Sequence, residues 1–290
     1  EKRFIRKDGT VVYGAIDVKC ARRPDGKVDY FVATVEDITG RKAAEATILR
    51  LNRVYMTLSQ CNEAIVRCTA EDELFAEICR AAVESGGMKM ATVGIIDGHG
   101  MVRAVANAGE GTEYFDGIRI SVDAGEAIGR GPIGTAIREN RAVWCQDFPN
   151  DPMMAPWREL GAQYGWGSVA ALPLRRGGAP IGALTLYSAQ PHEFDDQTQR
   201  LLSDMAADVS FALDNFQREA RGREAEIAMH ASEERYRNLF ESSLDGILLG
   251  SPDGSVLAAN PAACRMFGRT LEELREAGRT GVADISDPRY

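Results

Sequence analysis

The sequence lacks the residue groupings that most metal and redox sites need. It contains three histidines and six cysteines in 290 residues, and no two cysteines form a CxxC pair. No histidine stands near a cysteine to complete a tetrahedral metal site. Scattered single cysteines are typical of a reducing compartment, so we expect free thiols and a cytoplasmic location.

Basic residues and long apolar runs are also scarce. The chain has 34 Lys and Arg against 43 Asp and Glu, a net charge of -9, and no basic stripe. Binding to nucleic acid or an anionic membrane needs clustered cations, so neither partner is expected. No run approaches the roughly 18 to 20 apolar residues of a spanning helix, and the N-terminus lacks the apolar core of a signal peptide.

What the chain has is enough apolar content, 44% of residues, to form the cores of about two domains. Residues 1–37 alternate as three strands with turns at 7–9 and 22–26, and Asp37 or Thr39 is placed to cap the helix that follows. A second helix is predicted from about Glu71 to Glu84. Strands follow in MKMATVGIID, MVRAVANAG, RAVWCQD, GSVAALPLRR and APIGALTLYS, before a helical pattern returns at 195–216.

The first predicted helix carries a regular apolar repeat with 4-3-4-3 spacing. Such spacing predicts one continuous seam that pairs with the same helix of a second copy in a homodimer. A seam against the helix's own domain remains the alternative, and Asn62 would fix the register of a dimer. The seam consists of Ala44, Ile48, Leu51, Tyr55, Leu58, Asn62 and Ile65.

Three motifs in residues 41–217 resemble a bacterial GAF domain. They are GRGPIGTAI, the strand Ser168 to Arg175, and GGAPIGALTLYS followed by FDDQTQRLLSDMA. Residues 1–40, ending VEDITGRK, resemble the C-terminal strands of a PAS domain. Residues 235–290, with FESSLDGILLGSPDGSVLAANPAACRMFG, resemble the truncated N-terminal part of a second PAS domain, and 218–234 form a charged helical linker.

The resemblance implies an α+β fold with a central six-stranded antiparallel sheet, flanking helices, and long N- and C-terminal helices. It also implies a sensor of a bacterial signal-transduction protein whose output domain lies downstream in the same chain. Similar domains stand upstream of GGDEF and EAL cyclic-di-GMP domains and of histidine kinases. The fragment itself is expected not to be an enzyme, whereas the whole protein could be a diguanylate cyclase, a phosphodiesterase or a kinase.

Some GAF proteins reduce free methionine sulfoxide with cysteines in the GRGxxGTA turn and the loop after it. This chain has Pro132-Ile133 and DPMMAPW there, so both thiol positions are empty and Cys145 stands alone. A single thiol cannot close the disulfide that the reaction cycle requires, so we expect Cys145 to be a buried apolar residue. The histidines lie at turns and in the charged linker, and no cofactor is identified.

A loop region rich in aromatic residues and methionine is the predicted ligand cavity. Such residues over a sheet can line a binding site, with Asp147 and Ser168 as polar anchors. Packing of a lid without a ligand is the alternative, which would make the domain a structural dimerisation spacer. The candidate residues are Tyr114, Phe115, Trp144, Asp147, Phe148, Met153, Met154, Trp157, Tyr164, Trp166 and Ser168.

Overall fold

The computed structural model of the protein describes residues 1–113, 115, 118–278 and 281–283. They fall into two compact units, Glu1–Phe216 and Gln217–Tyr290. Within the described ranges, no helix combines the length and the apolar content that crossing a bilayer requires.

The first unit begins with an open three-stranded antiparallel sheet. Its strands pair in chain order, and the turns between them place Gly9 and Gly26 at positive φ, as the turn motifs predict. Most of its side chains are exposed, including Phe31 and Ile5. The strands are β1 (Lys2–Ile5), β2 (Val11–Arg22) and β3 (Val28–Asp37).

Two helices follow, α1 (Thr39–Arg67) and α2 (Glu71–Glu84). The N-cap of α1 is Ile38, and no side chain caps the helix, so the cap predicted from Asp37 or Thr39 is not formed. The Asp37 carboxylate instead accepts the backbone N–H of Thr39, the first helical residue, at 3.0 Å. The bounds of α2 are those predicted. Both helices bury one apolar face against the central sheet.

The central sheet is antiparallel with the strand order β5-β4-β8-β7-β6. Adjacent β7 and β8 carry the longest unbroken buried runs, because both of their faces are covered. The strands are β4 (Met90–Ile96), β5 (Val102–Gly109), β6 (Val143–Cys145), β7 (Ser168–Arg176) and β8 (Ala179–Ser188).

Among the described residues the central sheet has five strands where six were expected, and the α+β fold class is confirmed. Beside β5, the chain makes a single bridge between Met101 and Ser121. The ladder ends there because the Ser121 hydroxyl accepts the Asp123 N–H and the Asp123 carboxylate accepts the Gly125 N–H, which turns the chain away.

The two faces of the sheet carry different layers. Leu172, Leu184 and Leu186 lie in the large core under α1 and α2. On the opposite face, α3 (Pro132–Glu139) packs on residues that alternate with these along the same strands, and α4 (Arg158–Tyr164) lies near the aromatic residues of that face.

The helix α5 (Asp196–Ser242) begins in this unit and continues beyond its end at Phe216, and its first part runs in the same direction as α1. Arg50 forms an ion pair with Asp195 at 2.7 Å, and one sulfur contact further along joins Cys61 to Met205 at 3.5 Å. The predicted linker is a continuation of this helix, and its side chains are exposed.

The second unit contains a two-stranded sheet and two short helices. Asn260 caps the first helix by accepting the Ala263 N–H at 2.8 Å, with Pro261 at the first helical position. The elements are β9 (Leu248–Gly250), β10 (Val256–Ala259), α6 (Pro261–Phe267) and α7 (Leu271–Ala277).

Candidate functional site

The GRGPIG motif forms the N-terminus of α3. Gly131 is the N-cap in an extended conformation, Pro132 occupies the first position, and no side chain caps the helix. The backbone N–H groups of Ile133 and Gly134 therefore have no hydrogen-bond acceptor among the described residues. Both residues are buried, so these two donors face the interior of the domain rather than open water.

The loop before α3 is held by Arg138. Its guanidinium donates to the carbonyl of Gly129 at 2.9 Å, to the carbonyl of Val122 at 3.3 Å and to the Thr135 hydroxyl at 3.2 Å. These bonds satisfy carbonyls that the irregular loop leaves unpaired. The side chain thus fixes the loop against the helix that it precedes.

Two glycines of the motif are required by close contact between backbone segments. A Cβ on Gly129 would lie 1.9 Å from the Asp123 carbonyl oxygen, and one on Gly134 would lie 2.4 Å from that of Ser121. Gly131 instead faces the indole of Trp157, 2.3 Å from the nearest ring atom to a built Cβ. The motif therefore allows helix, loop and indole to meet without intervening side chains.

A small cavity opens between the N-terminus of α3 and the sheet. The unfilled space measures about 290 Å³ including its opening to solvent. None of the described residues that line it carries a charged side chain. They are Ile120, Gly131, Pro132, Ile133, Gly134, Met154, Trp157, Val169 and Tyr187.

One wall of this cavity is backed by closely packed aromatic rings. The Trp166 ring lies 4.3 Å from the Tyr187 ring, 5.2 Å from the Tyr164 ring and 5.7 Å from the Phe148 ring, measured between centroids. Trp166 and Phe148 are fully buried. This packing holds Tyr187 in place and makes the wall rigid.

Cys145 is buried beside this cluster, as the sequence predicted. Burial, followed by the negative charge of Asp151, raises the pKa of its thiol to about 12. A thiol with that pKa is protonated at neutral pH and is a poor nucleophile. Among the described residues, no group of three or more metal-binding side chains comes together.

Several predicted cavity residues lie at or beside the cavity. Met154 and Trp157 line it. Phe148 and Trp166 form the packed aromatic layer behind its wall, together with Tyr164. Phe115 is partly buried against the same layer, and Met153 packs against the neighbouring cluster under α3.

The remaining predicted residues lie elsewhere or are otherwise engaged. Trp144 is on the opposite, helix-covered side, with its ring 5.7 Å from that of Phe194. The Asp147 carboxylate accepts two bonds from the Asn150 amide, and the Ser168 hydroxyl donates to the Gln190 carbonyl at 2.7 Å. Tyr114 lies outside the described residues.

The sequence interpretation missed the residues that form most of the cavity wall. The GRGPIGTAI motif was used only as a mark of the GAF resemblance, and Val169 and Tyr187 were not selected. A usable signal was present, since alternation along β7 and β8 places both residues on the face opposite the leucine core.

The predicted seam of α1 is divided between two environments. Leu58 and Ile65 pack against the core of the same domain, and Leu51 is half-buried. Ile48 and Tyr55 are more than half exposed. The exposed members of the seam are Ala44, Ile48, Tyr55 and Asn62.

Comparison with known proteins agrees with this geometry. A GAF domain family model matches residues 68–214, about half of the chain, and a PAS domain model matches 234–290. The chain is 24% identical over 282 residues to a methyl sulfide methyltransferase-associated sensor of Methanosarcina acetivorans, covering 94% of this chain and 26% of the relative.

Two shorter or weaker similarities complete the comparison. Over 45 residues, or 16% of this chain and 6% of the relative, the chain is 42% identical to sporulation kinase E of Bacillus subtilis. A free methionine-R-sulfoxide reductase structure from Neisseria meningitidis is 19% identical, with a TM-score of 0.48 over 58% of this chain and 91% of that chain. The chain thus spans about a quarter or less of the length of these curated relatives.

The family match, with the antiparallel sheet and the GRGPIG turn, shows that this chain belongs to the GAF domain family and carries a PAS domain segment after it.

Proposed function

We propose that the chain is a non-catalytic sensory module that binds a small ligand in the cavity at the N-terminus of α3. The observation that carries this proposal is the cavity itself, a largely apolar space with unpaired donors at one end and a rigid aromatic wall. Concave apolar sites with a few polar groups are the usual form of small-molecule sites.

The module relays occupancy of the cavity through the sheet to α1 and α5. Val169 and Tyr187 contact the cavity, whereas their chain neighbours Ala170 and Leu186 belong to the core under the helices. A ligand that prefers one arrangement of the cavity shifts the equilibrium between arrangements by its difference in affinity. The ion pair of Arg50 with Asp195 couples α1 to the first turn of α5.

The relay operates in a homodimer that pairs through the exposed side of α1. This side carries large apolar residues with little cover, Ile48 at 57%, Tyr55 at 52%, Met56 at 57% and Val66 at 87% exposure. Heptad spacing of Ile48, Tyr55 and Asn62 suits pairing with the same helix of a second copy. The half-buried seam residues Leu51, Leu58 and Ile65 stabilise the domain itself.

A downstream output domain of the same polypeptide receives the signal in the cytoplasm. The relatives support this context, since one is named a sensor and the other a kinase. A histidine kinase or a cyclic-di-GMP domain of a bacterial signalling protein is the output that we propose. The alternative of a sulfoxide reductase is not favoured, because Ile133 occupies one expected thiol position and Cys145 is buried.

Dimerisation is tested by replacing Ile48 and Tyr55 with Glu and measuring mass by light scattering after gel filtration. We expect the double variant to be a monomer whose circular dichroism spectrum is unchanged, because both residues are exposed and the domain core does not need them. Val105→Glu, which changes an exposed apolar residue on β5, is the matched control and should remain dimeric. A dimeric double variant would refute this interface.

Ligand binding is tested by thermal unfolding in the presence of a metabolite library. A compound that binds the native state raises the unfolding temperature. Val169→Phe and Ile133→Phe, which fill the cavity from two sides, should abolish that rise while circular dichroism shows that they fold. No stabilisation of the parent protein by any compound would favour the structural spacer.

A further inference from the structure

The N-terminus of α3 presents positive charge to the cavity. The buried N–H groups of Ile133 and Gly134 have no acceptor in the described part of the chain, and both residues line the space. A helix N-terminus carries a partial positive charge and attracts anions. Buried backbone donors are nearly always paired in folded proteins, so these two donors call for an acceptor that the described residues do not supply.

Unpaired hydroxyl groups on the sheet also indicate that the cavity binds a hydrogen-bond acceptor. Tyr187 is 3% exposed and lines the cavity, and its hydroxyl has no hydrogen-bond partner within the described ranges. Two residues earlier on the same strand, and hence on the same face, the buried Thr185 hydroxyl also lacks a partner. Unpaired polar groups therefore lie both at the helix end and on the sheet that faces it.

The described lining of the cavity offers no partner for a positive charge. Its described lining contains no carboxylate, and the walls formed by Met154, Trp157 and Val169 are apolar. An ammonium group would lose water there without a compensating contact. The ligand must be small, because the space measures only about 290 Å³ even when its opening to solvent is included.

We propose that this cavity binds a small monocarboxylate with a branched or aromatic apolar body and no amino group. The carboxylate accepts hydrogen bonds from the N–H groups of Ile133 and Gly134 and from the Tyr187 hydroxyl, and the body contacts Trp157 and Val169. This assignment rests on the proposed function, because it names the class of ligand for the same site. An ionised carboxylate accepts several bonds at once, so three donors together replace much of its hydration.

Three probes of nearly equal size test the assignment by calorimetry at pH 7. Isovalerate carries the carboxylate, isovaleramide carries the same body without charge, and valine adds an ammonium group to the acid. We expect isovalerate to bind at least tenfold more tightly than either of the others. Benzoate and benzamide repeat the comparison with an aromatic body.

Variants then locate the binding. Tyr187→Phe removes one hydroxyl and should weaken isovalerate severalfold without changing isovaleramide, whereas the exposed Tyr236→Phe should change neither. Val169→Phe, or Ile133→Phe if the first does not fold, should abolish binding of every probe.

Equal affinity for acid and amide, with both lost in the filled variant, would overturn the monocarboxylate assignment and leave the sensory function standing. Binding of acid that survives filling of the cavity would also overturn it. No binding by any probe would overturn it as well, and the metabolite library would then decide the sensory function on its own.

Discussion

Replacing Gly134 with Ala tests whether α3 is packed against the loop as tightly as the structure shows. In an exposed helix interior this change stabilises by up to about 1 kcal/mol, because Ala is the better helix former. At Gly134, however, the new Cβ would lie 2.4 Å from the Ser121 carbonyl oxygen and 2.6 Å from that of Gly129. Both obstacles are backbone atoms, and neither can rotate away.

The expected cost follows from these two contacts. A Cβ does not approach an oxygen within about 3 Å, so α3 or the loop must move by about 0.5 Å, and Arg138 holds the loop to the helix. Overpacking of this kind costs about 1 to 3 kcal/mol and occasionally more. After subtracting the gain in helix propensity, we expect a net loss of about 1 kcal/mol, with the sign opposite to that of an exposed site.

Urea unfolding followed by tryptophan fluorescence measures this loss. All three tryptophans, Trp144, Trp157 and Trp166, lie in the GAF domain, so the signal reports its unfolding. With a slope of about 2 kcal/mol/M, the midpoint should fall by about 0.5 M. Gly98→Ala, where a Cβ meets no atom within 4 Å, is the control and should leave the midpoint within about 0.3 M. An equal or higher midpoint for Gly134→Ala at unchanged slope would refute the packing argument.

Three further predictions concern charge and thiols. Arg176→Met breaks the 2.6 Å contact with Glu71 and should lower the free energy of unfolding by about 0.5 to 1 kcal/mol. Salt screens this ion pair, so urea titrations at two salt concentrations should show a smaller loss at the higher one. Burial raises the pKa of Glu193, so the charged carboxylate destabilises the folded state relative to the unfolded chain. Glu193→Gln should therefore stabilise the protein at pH 7. The difference in unfolding free energy should vanish below pH 4.5, the ordinary pKa of this carboxyl, when unfolding is measured as a function of pH. Iodoacetamide at pH 8, followed by mass spectrometry, should modify the exposed Cys20 long before Cys145; equal rates would contradict the burial of Cys145.

Local patterns in the sequence were sufficient to predict most elements of the fold. Alternation identified the strands, the spacing of apolar residues identified α2 and α5, and Asn260 followed by Pro261 marked the start of a helix. These signals act within a few residues. Within the described residues the expected sixth strand is a single bridge between Met101 and Ser121, next to which the Ser121 and Asp123 side chains bond to nearby backbone N–H groups.

The cavity was harder to predict because its wall is formed largely by backbone and small residues. Large aromatic residues attract attention in a sequence, yet Phe148 and Trp166 fill the layer behind the wall. The unpaired hydrogen-bond donors at the cavity are the backbone N–H groups of Ile133 and Gly134, which no side-chain pattern reveals. Their exposure to a cavity depends on the contact between α3 and the sheet.

The seam of α1 shows why a heptad pattern alone does not define an interface. A helix on the surface of a domain can bury one side against that domain and leave another for a partner. Here Leu58 and Ile65 pack against the core of their own domain, whereas Ile48 and Tyr55 remain exposed. The periodicity is the same in both cases, so the division needed the structure.

Native mass spectrometry of the purified protein, compared with its mass after denaturation, tests the central proposal most directly. We predict a dimer that carries a small non-covalent ligand, which is lost on denaturation and is absent from folded Val169→Phe. The same bare mass for the parent protein and the variant, or the same adduct on both, would contradict ligand binding in this cavity.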